Sequence, residues 1–206
     1  GRVDDEVVFA LPLAELERCS PAIRWLEEAG VSKAVMAADR AFMLALLAGA
    51  FIGFGALFYT LVITGSTLGF GPTRLLGGIA FSLGLILVII GGAELFTGNN
   101  LIVMAWADRK ITGAQLARNW SIVYAGNFAG ALATAVLVVL SGMLDLNGGA
   151  VADNVAAIAT GKLNLSMPQA FFRGILCNVL VCLAVWLSFA ATRVSGKILA
   201  IIFPIS

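Results

Sequence analysis

Long uncharged apolar runs separated by short polar links dominate this chain. A helix needs about 20 residues to cross roughly 30 Å of hydrocarbon. Ala41 to Thr64 meets that length, and Leu75 to Ala93, Trp120 to Met143 and Gly174 to Ala191 form three further spans. The links differ in character. Residues 65–73 are Gly-rich and polar, Asp108-Arg109-Lys110 is a charged turn, and residues 193–197 form a basic turn. Residues 144–167 read as an extramembrane loop with a short helix from Val151 to Ala159. A fifth apolar segment opens at Ile198 and reaches Ser206, too short to cross a bilayer. The pattern therefore predicts a chain that continues past Ser206; the alternative is a short re-entrant or interfacial tail.

The first 40 residues have a different pattern. Residues 1–12 mix acids with apolar residues without a period and read as an arm; Asp4, Asp5 and Glu6 argue against a signal peptide. Residues 13–36 are predicted helical. Ser20-Pro21 supplies an N-cap followed by proline at the first helical position. Ile23, Leu26 and Ala29-Gly30 leave a polar face at Arg24, Glu27 and Glu28, as in an interfacial amphipathic helix or a short soluble one. The division is thus an N-terminal arm and amphipathic helix over 1–40 and a transmembrane domain, with four spans and the start of a fifth, over 41–206.

The second span does not end cleanly. Gly91-Gly92-Ala93-Glu94-Leu95-Phe96-Thr97-Gly98-Asn99-Asn100 places a carboxylate, glycines and two amides inside apolar sequence. Leu75 to Ala107 is too long for one straight span and too short for two, with Leu101 to Ala107 only half a span. A helix broken near the midplane and resumed at Asn99 fits best. Non-helical backbone at that depth is tolerated only against protein or a watery cavity. Broken helices expose N–H groups that suit an anion, and an ionisable residue such as Glu94 inside a membrane is a functional candidate by default. Each residue also has a plainer reading. Glu94 is equally a structural acceptor for broken backbone, Thr97 a cap on the second half-helix, and Leu95 and Phe96 are either core residues or the narrowing of a pore. Asn178, inside the fourth span, needs a polar partner or a cavity. Gly49-xxx-Gly53 and Gly126-xxx-Gly130 are small-xxx-small patterns that let helices approach closely.

Composition sharpens this picture. The chain is 60% apolar and 12% charged, with mean hydropathy +0.99, against about 45–50% and 25% in soluble domains. An ordinary soluble enzyme and a disordered chain are excluded, and a net charge of +1 leaves no basic excess for nucleic acid. Three cysteines make no disulfide framework, and Cys177 and Cys182 read as small packing residues. The sequence contains no histidine. No nucleophile–base pair or metal cluster is visible, so neither an enzyme nor a cofactor is expected. Lys and Arg set the orientation. With the N-terminus inside, ten of them fall on inner segments and only Arg74, Lys162 and Arg173 on outer ones.

Several motifs, taken together and in order, resemble the formate–nitrite transporter family. Gly92-Ala-Glu-Leu-Phe-Thr-Gly-Asn99 is similar to the break in that family's second span. Ala48-Gly-Ala-Phe-Ile-Gly53 fits its first span. Asn119-Trp120, Tyr124, Gly126-Asn127 and Gly130-Ala131 fit the third. Arg173-Gly-Ile-Leu-Cys-Asn178 with Leu180 to Trp186 fits the fourth. The resemblance runs from Ala41 to Ser206. It implies an all-α integral membrane protein: an aquaporin-like bundle of six spans, with inverted repeats, in a homopentamer with one pore per protomer. It implies small monovalent anions as substrates (formate first, then nitrite and related monocarboxylates) and a bacterial inner membrane. By the family pattern Phe81 and Leu85, with Leu95 and Phe96, narrow the pore. Thr97, Asn178 and Val181 line the path, Lys162 is the basic residue of the outer vestibule, and Glu94, Gly98 and Asn99 hold the break. The family's fifth span carries a second break with a central histidine, and this sequence stops before that motif.

A bare anion crosses a dry constriction only at high cost. The expected mechanism therefore has Lys162 and helix N-termini concentrating the anion, Thr97 orienting it, and a polar proton source between constrictions neutralising it. Proton-coupled flux and simple channel flux both fit. Two competitors are an aquaglyceroporin-like neutral-solute channel, which would carry Asn-Pro-Ala motifs absent here, and a non-transporting membrane subunit, which would have no use for Glu94 in a broken span.

Overall fold

The computed structural model describes residues 21–206; the predicted arm, the start of the first helix and the Ser20 cap lie outside the described residues. Helix α1 spans Pro21–Ala34 and α2 spans Ala38–Ile63. Helix α3 covers Phe70–Gly91 and stops at the break. The chain resumes as α4, Phe96–Asn99, passes through a 3-10 turn over Asn100–Ile102 and continues as α5, Val103–Ala107. Helix α6 is Gly113–Leu140, and a 3-10 turn at Met143–Gly149 leads to α7, Ala150–Leu163. Helix α8 is Met167–Ala190 and α9 is Val194–Ile205. Helices α2, α3, α6 and α8 are long and apolar enough to cross a membrane.

The four predicted spans are present, and each begins earlier than hydropathy suggests. The second starts at Phe70 within the predicted link, the third at Gly113 and the fourth at Met167. The cause for two of them is capping. Thr112 and Gln115 form a reciprocal capping box, as do Ser166 and Gln169, so a polar first turn is held helical before the apolar run begins. The short helix predicted at Val151 extends through Leu163, and the basic turn at residues 193–197 is mostly the first turn of α9.

Helix α6 lies against α2 through the two small-residue patterns. A Cβ on Gly130 would meet the Leu46 carbonyl oxygen at 1.9 Å, and one on Gly49 the Asn127 carbonyl oxygen at 2.1 Å. Neither helix could approach its partner this closely with larger residues there. Gly55 and Gly84 also bring α2 close to α3, where a Cβ would meet the Phe81 carbonyl oxygen at 2.7 Å and the Phe51 carbonyl oxygen at 3.0 Å. Leu132, Leu140, Phe171 and Leu176 on α6 and α8 are exposed, an arrangement that suits hydrocarbon or another apolar surface as solvent.

Helix α1 corrects one expectation. Arg24 and Glu28 are exposed, but Glu27 is buried at 6% exposure and is not part of a polar face. Leu26, Gly30 and Ala34 are also buried, the last two against Ile102 and Ala105. Helix α1 therefore docks on the second half of the broken span, and Glu27 is compensated there by the Lys110 ammonium at 2.5 Å.

Candidate functional site

The break begins at Gly92, whose φ of 68° is left-handed, a conformation glycine adopts without a side-chain clash. Ala93 N–H then returns to the Val88 carbonyl at 2.9 Å, closing α3. Beyond it the backbone groups need partners from elsewhere. Glu94 N–H donates to the Leu44 carbonyl of α2 at 3.2 Å. Asn127 of α6 supplies the rest. Its Oδ1 accepts from Phe96 N–H at 2.8 Å, and its Nδ2 donates to the Glu94 and Ala45 carbonyls, each at 2.8 Å. One amide thus connects α2, the break and α6.

The Glu94 carboxylate has a different partner from the broken backbone expected of it. It is 4% exposed and receives the Lys33 ammonium of α1 at 3.0 Å and Asn99 Nδ2 at 2.7 Å. Lys33 also donates to Asn99 Oδ1 at 2.9 Å. Asn99 Nδ2 lies 3.1 Å from Asn119 Oδ1, and Asn119 Nδ2 donates to the Lys33 carbonyl at 3.0 Å. Trp120 Nε1 donates to the Asn99 carbonyl at 3.1 Å. Every member of this buried network has a partner, so the charge of Glu94 is tolerated and the geometry of the break is fixed. Outside the spans, the Asp108 and Glu27 carboxylates hold the Lys110 ammonium charged well above the usual lysine range.

Beside the network lies a cavity of about 230 Å³. Leu85, Glu94, Leu95, Gly98 and Asn99 line it together with Lys33. Leu85 is buried, and Leu95 packs on the same core cluster. Val181 belongs to that cluster too, on the α8 side. The other predicted residues are placed elsewhere. Phe81 is half-buried on α3 and does not line this cavity. Phe96 turns to α6, edge-on to Tyr124 at 5.4 Å and Trp120 at 6.2 Å between ring centroids. Thr97 does not cap the second half-helix: Leu95 holds the cap position with no side-chain bond, and the Thr97 carbonyl lies 3.5 Å from Cys182 Sγ. Asn178 has the polar partner its setting demands, accepting from Asn100 Nδ2 at 2.7 Å, and it lines a separate open groove along α8. Lys162 is exposed in the last turn of α7, at the opposite end of the bundle from α1.

Sequence reasoning missed Lys33 and the tying role of Asn127. A signal for Lys33 exists: it falls three residues after Gly30 and beside Ala34, so a charge sits on a buried helical stripe. Among the described residues no group of His, Cys, Asp and Glu is placed to hold a metal ion.

Four membrane-length helices, one continuing through a polar break into a half-helix, define a helical integral membrane protein with a transporter-like core. Residues 21–206 match the family model described as Formate/nitrite transporter, and the chain belongs to that family. It is 44% identical over 181 residues to the formate channel FocA of Escherichia coli strain K12, covering 87% of this chain and 64% of FocA. It is 36% identical over 214 residues to a probable formate transporter of Methanothermobacter thermautotrophicus, covering 96% of this chain and 76% of that protein. Among solved structures it is similar to a pentameric formate channel with formate bound, at 41% identity and TM-score 0.75, over 82% of this chain and 66% of that one. An FNT family ion channel superposes with TM-score 0.79 at 28% identity, over 89% of this chain and 74% of that one.

Proposed function

We propose that the protein carries small monovalent anions across the bacterial cytoplasmic membrane, formate first and nitrite second, as a homopentamer with α1 on the cytoplasmic side. The observation that supports this most is the broken second span opening on a cavity beside a fully satisfied polar network. Non-helical backbone at that depth is tolerated only against protein or a watery cavity, and this break lines a cavity. The relatives named as formate channels, one of them pentameric in its solved form, favour formate and the assembly. Exposed apolar faces on α6 and α8 are available for lipid and for neighbouring protomers. The excess of Lys and Arg on the α1 side supports the orientation.

In this reading Leu85 and Leu95 form an apolar constriction at the break and Phe81 narrows the path further along, while Phe96, packed on Tyr124 and Trp120, anchors the break to α6 instead of narrowing the path. Thr97, Asn178 and Val181 line the path, and Lys162 collects anions at the far face. Glu94, Gly98 and Asn99 keep the break open. An anion at the apolar constriction is expensive until a proton neutralises it, so formate flux should rise as the anion-supplying side is acidified. The test is uptake of formate, nitrite, hydrosulfide and lactate by proteoliposomes holding the purified protein. Formate uptake above protein-free vesicles, with nitrite next, is expected. Swelling in glycerol without anion uptake overturns the proposal, and formate flux indifferent to pH overturns the proton step.

A further inference from the structure

The cavity at the break has three charged lining residues, Lys33, Glu94 and Lys197. The first two neutralise each other. Lys197 is half-buried, and no salt bridge or side-chain hydrogen bond engages its ammonium among the described residues. Its position is electrostatically unfavourable twice over. It stands in the first turn of the twelve-residue helix α9, where the helix dipole disfavours a cation. It also shares the cavity wall with Leu85, Val88, Ile89 and Phe189, which cannot replace lost hydration. The one carboxylate on the cavity already holds Lys33 and Asn99. Among the described residues no carboxylate is left to balance this cation, whereas a small anion in the cavity would meet its free positive charge. The cavity, at about 230 Å³ against roughly 30 Å³ per liquid water, has room for a formate-sized ion with several waters.

We propose that Lys197 is the anion-recruiting residue of the cavity on the α1 face, the counterpart of Lys162 at the other end, taking small monovalent oxyanions such as formate or nitrite. Lys33, nearer the break, is committed to Glu94 and leaves this task to Lys197. The proposal rests on the anion-transport reading above.

The test is initial formate flux in proteoliposomes, measured against formate concentration presented on the α1 face. The Lys197→Gln protein should need about five- to tenfold more formate for half-saturation, with a saturating rate within about twofold of the unmodified protein. Lys197→Arg should restore the unmodified behaviour. The gap between Lys197→Gln and the unmodified protein should shrink as ionic strength rises, because salt screens the attraction. An unchanged concentration dependence overturns the proposal. So does a loss of saturating rate shared equally by Gln and Arg, which marks a packing defect. If the unmodified protein carries no anion, the transport reading itself fails; if it does and Lys197→Gln matches it, only the role of Lys197 fails.

Discussion

Removing Lys33 and removing Glu94 should have unequal consequences. Glu94 is 4% exposed and Lys33 29% exposed along their side chains. In Lys33→Met the carboxylate keeps only the Asn99 amide and stays buried without a counter-charge, a situation that costs about 3–5 kcal/mol. In Glu94→Gln the ammonium keeps Asn99 Oδ1 at 2.9 Å, gains a neutral amide oxygen and turns its open side to water. That change should cost only about 1–2 kcal/mol. The double variant Lys33→Met/Glu94→Gln carries no buried charge, so it should be more stable than Lys33→Met alone. Its coupling energy should be about 2 kcal/mol or more, well beyond the scatter expected of independent sites. For a chain of this size about 2–4 °C of melting temperature accompanies each kcal/mol, so Lys33→Met should fall by roughly 6–20 °C. Thermal melts of the four purified proteins in one detergent give the comparison. Equal losses from the two single substitutions, or a double variant equal to their sum, would refute the view that desolvation of Glu94 governs the break.

Two further outcomes follow from the same geometry. Asn127→Asp should be more destabilising than Asn127→Ala, because it keeps the acceptor for Phe96 N–H but turns a carboxylate oxygen on the Ala45 and Glu94 carbonyls; thermal melts showing Asp the better tolerated would contradict the assigned amide orientation. Gly130→Ala should cost about 1–3 kcal/mol or more by driving α6 from α2, since its Cβ would meet the Leu46 carbonyl at 1.9 Å; a melting temperature equal to that of the unmodified protein would show that the crossing is looser than described.

What was legible in the sequence divides along a physical line. Spans are local, because about 20 apolar residues in a row need no partner to be recognised. Their boundaries were less legible because hydropathy ignores capping, although Thr112-x-x-Gln115 and Ser166-x-x-Gln169 stood in the sequence as start signals. The break was legible because glycine, carboxylate and amides interrupt an apolar run at once. Side-chain direction within it was not. Leu95 and Phe96 are neighbours, yet one faces the cavity and the other Trp120 and Tyr124, a choice made by tertiary packing.

The ion pairs illustrate the harder case. Lys33 lies 61 residues from Glu94 and Glu27 lies 83 residues from Lys110, so no window along the chain contains either pair. Half of each was still detectable. Leu26, Gly30 and Ala34 mark one buried stripe of α1, and Glu27 and Lys33 fall beside it. A buried charge must be paired, so each of these two residues required an opposite charge from another element. The sequence between the second and third spans offers few: Glu94, Asp108, Arg109 and Lys110. The acid on α1 needed one of the cations of the turn, and the lysine needed one of the two acids. Only Glu94 stands in apolar sequence and itself lacked a local cation. Pairing the charges that could not remain alone joins α1 to the break at Glu94 and to the turn after α5 at Lys110. Among the described residues Lys197 has no salt-bridge partner, so its charge is left to meet an ion that the described fold does not supply.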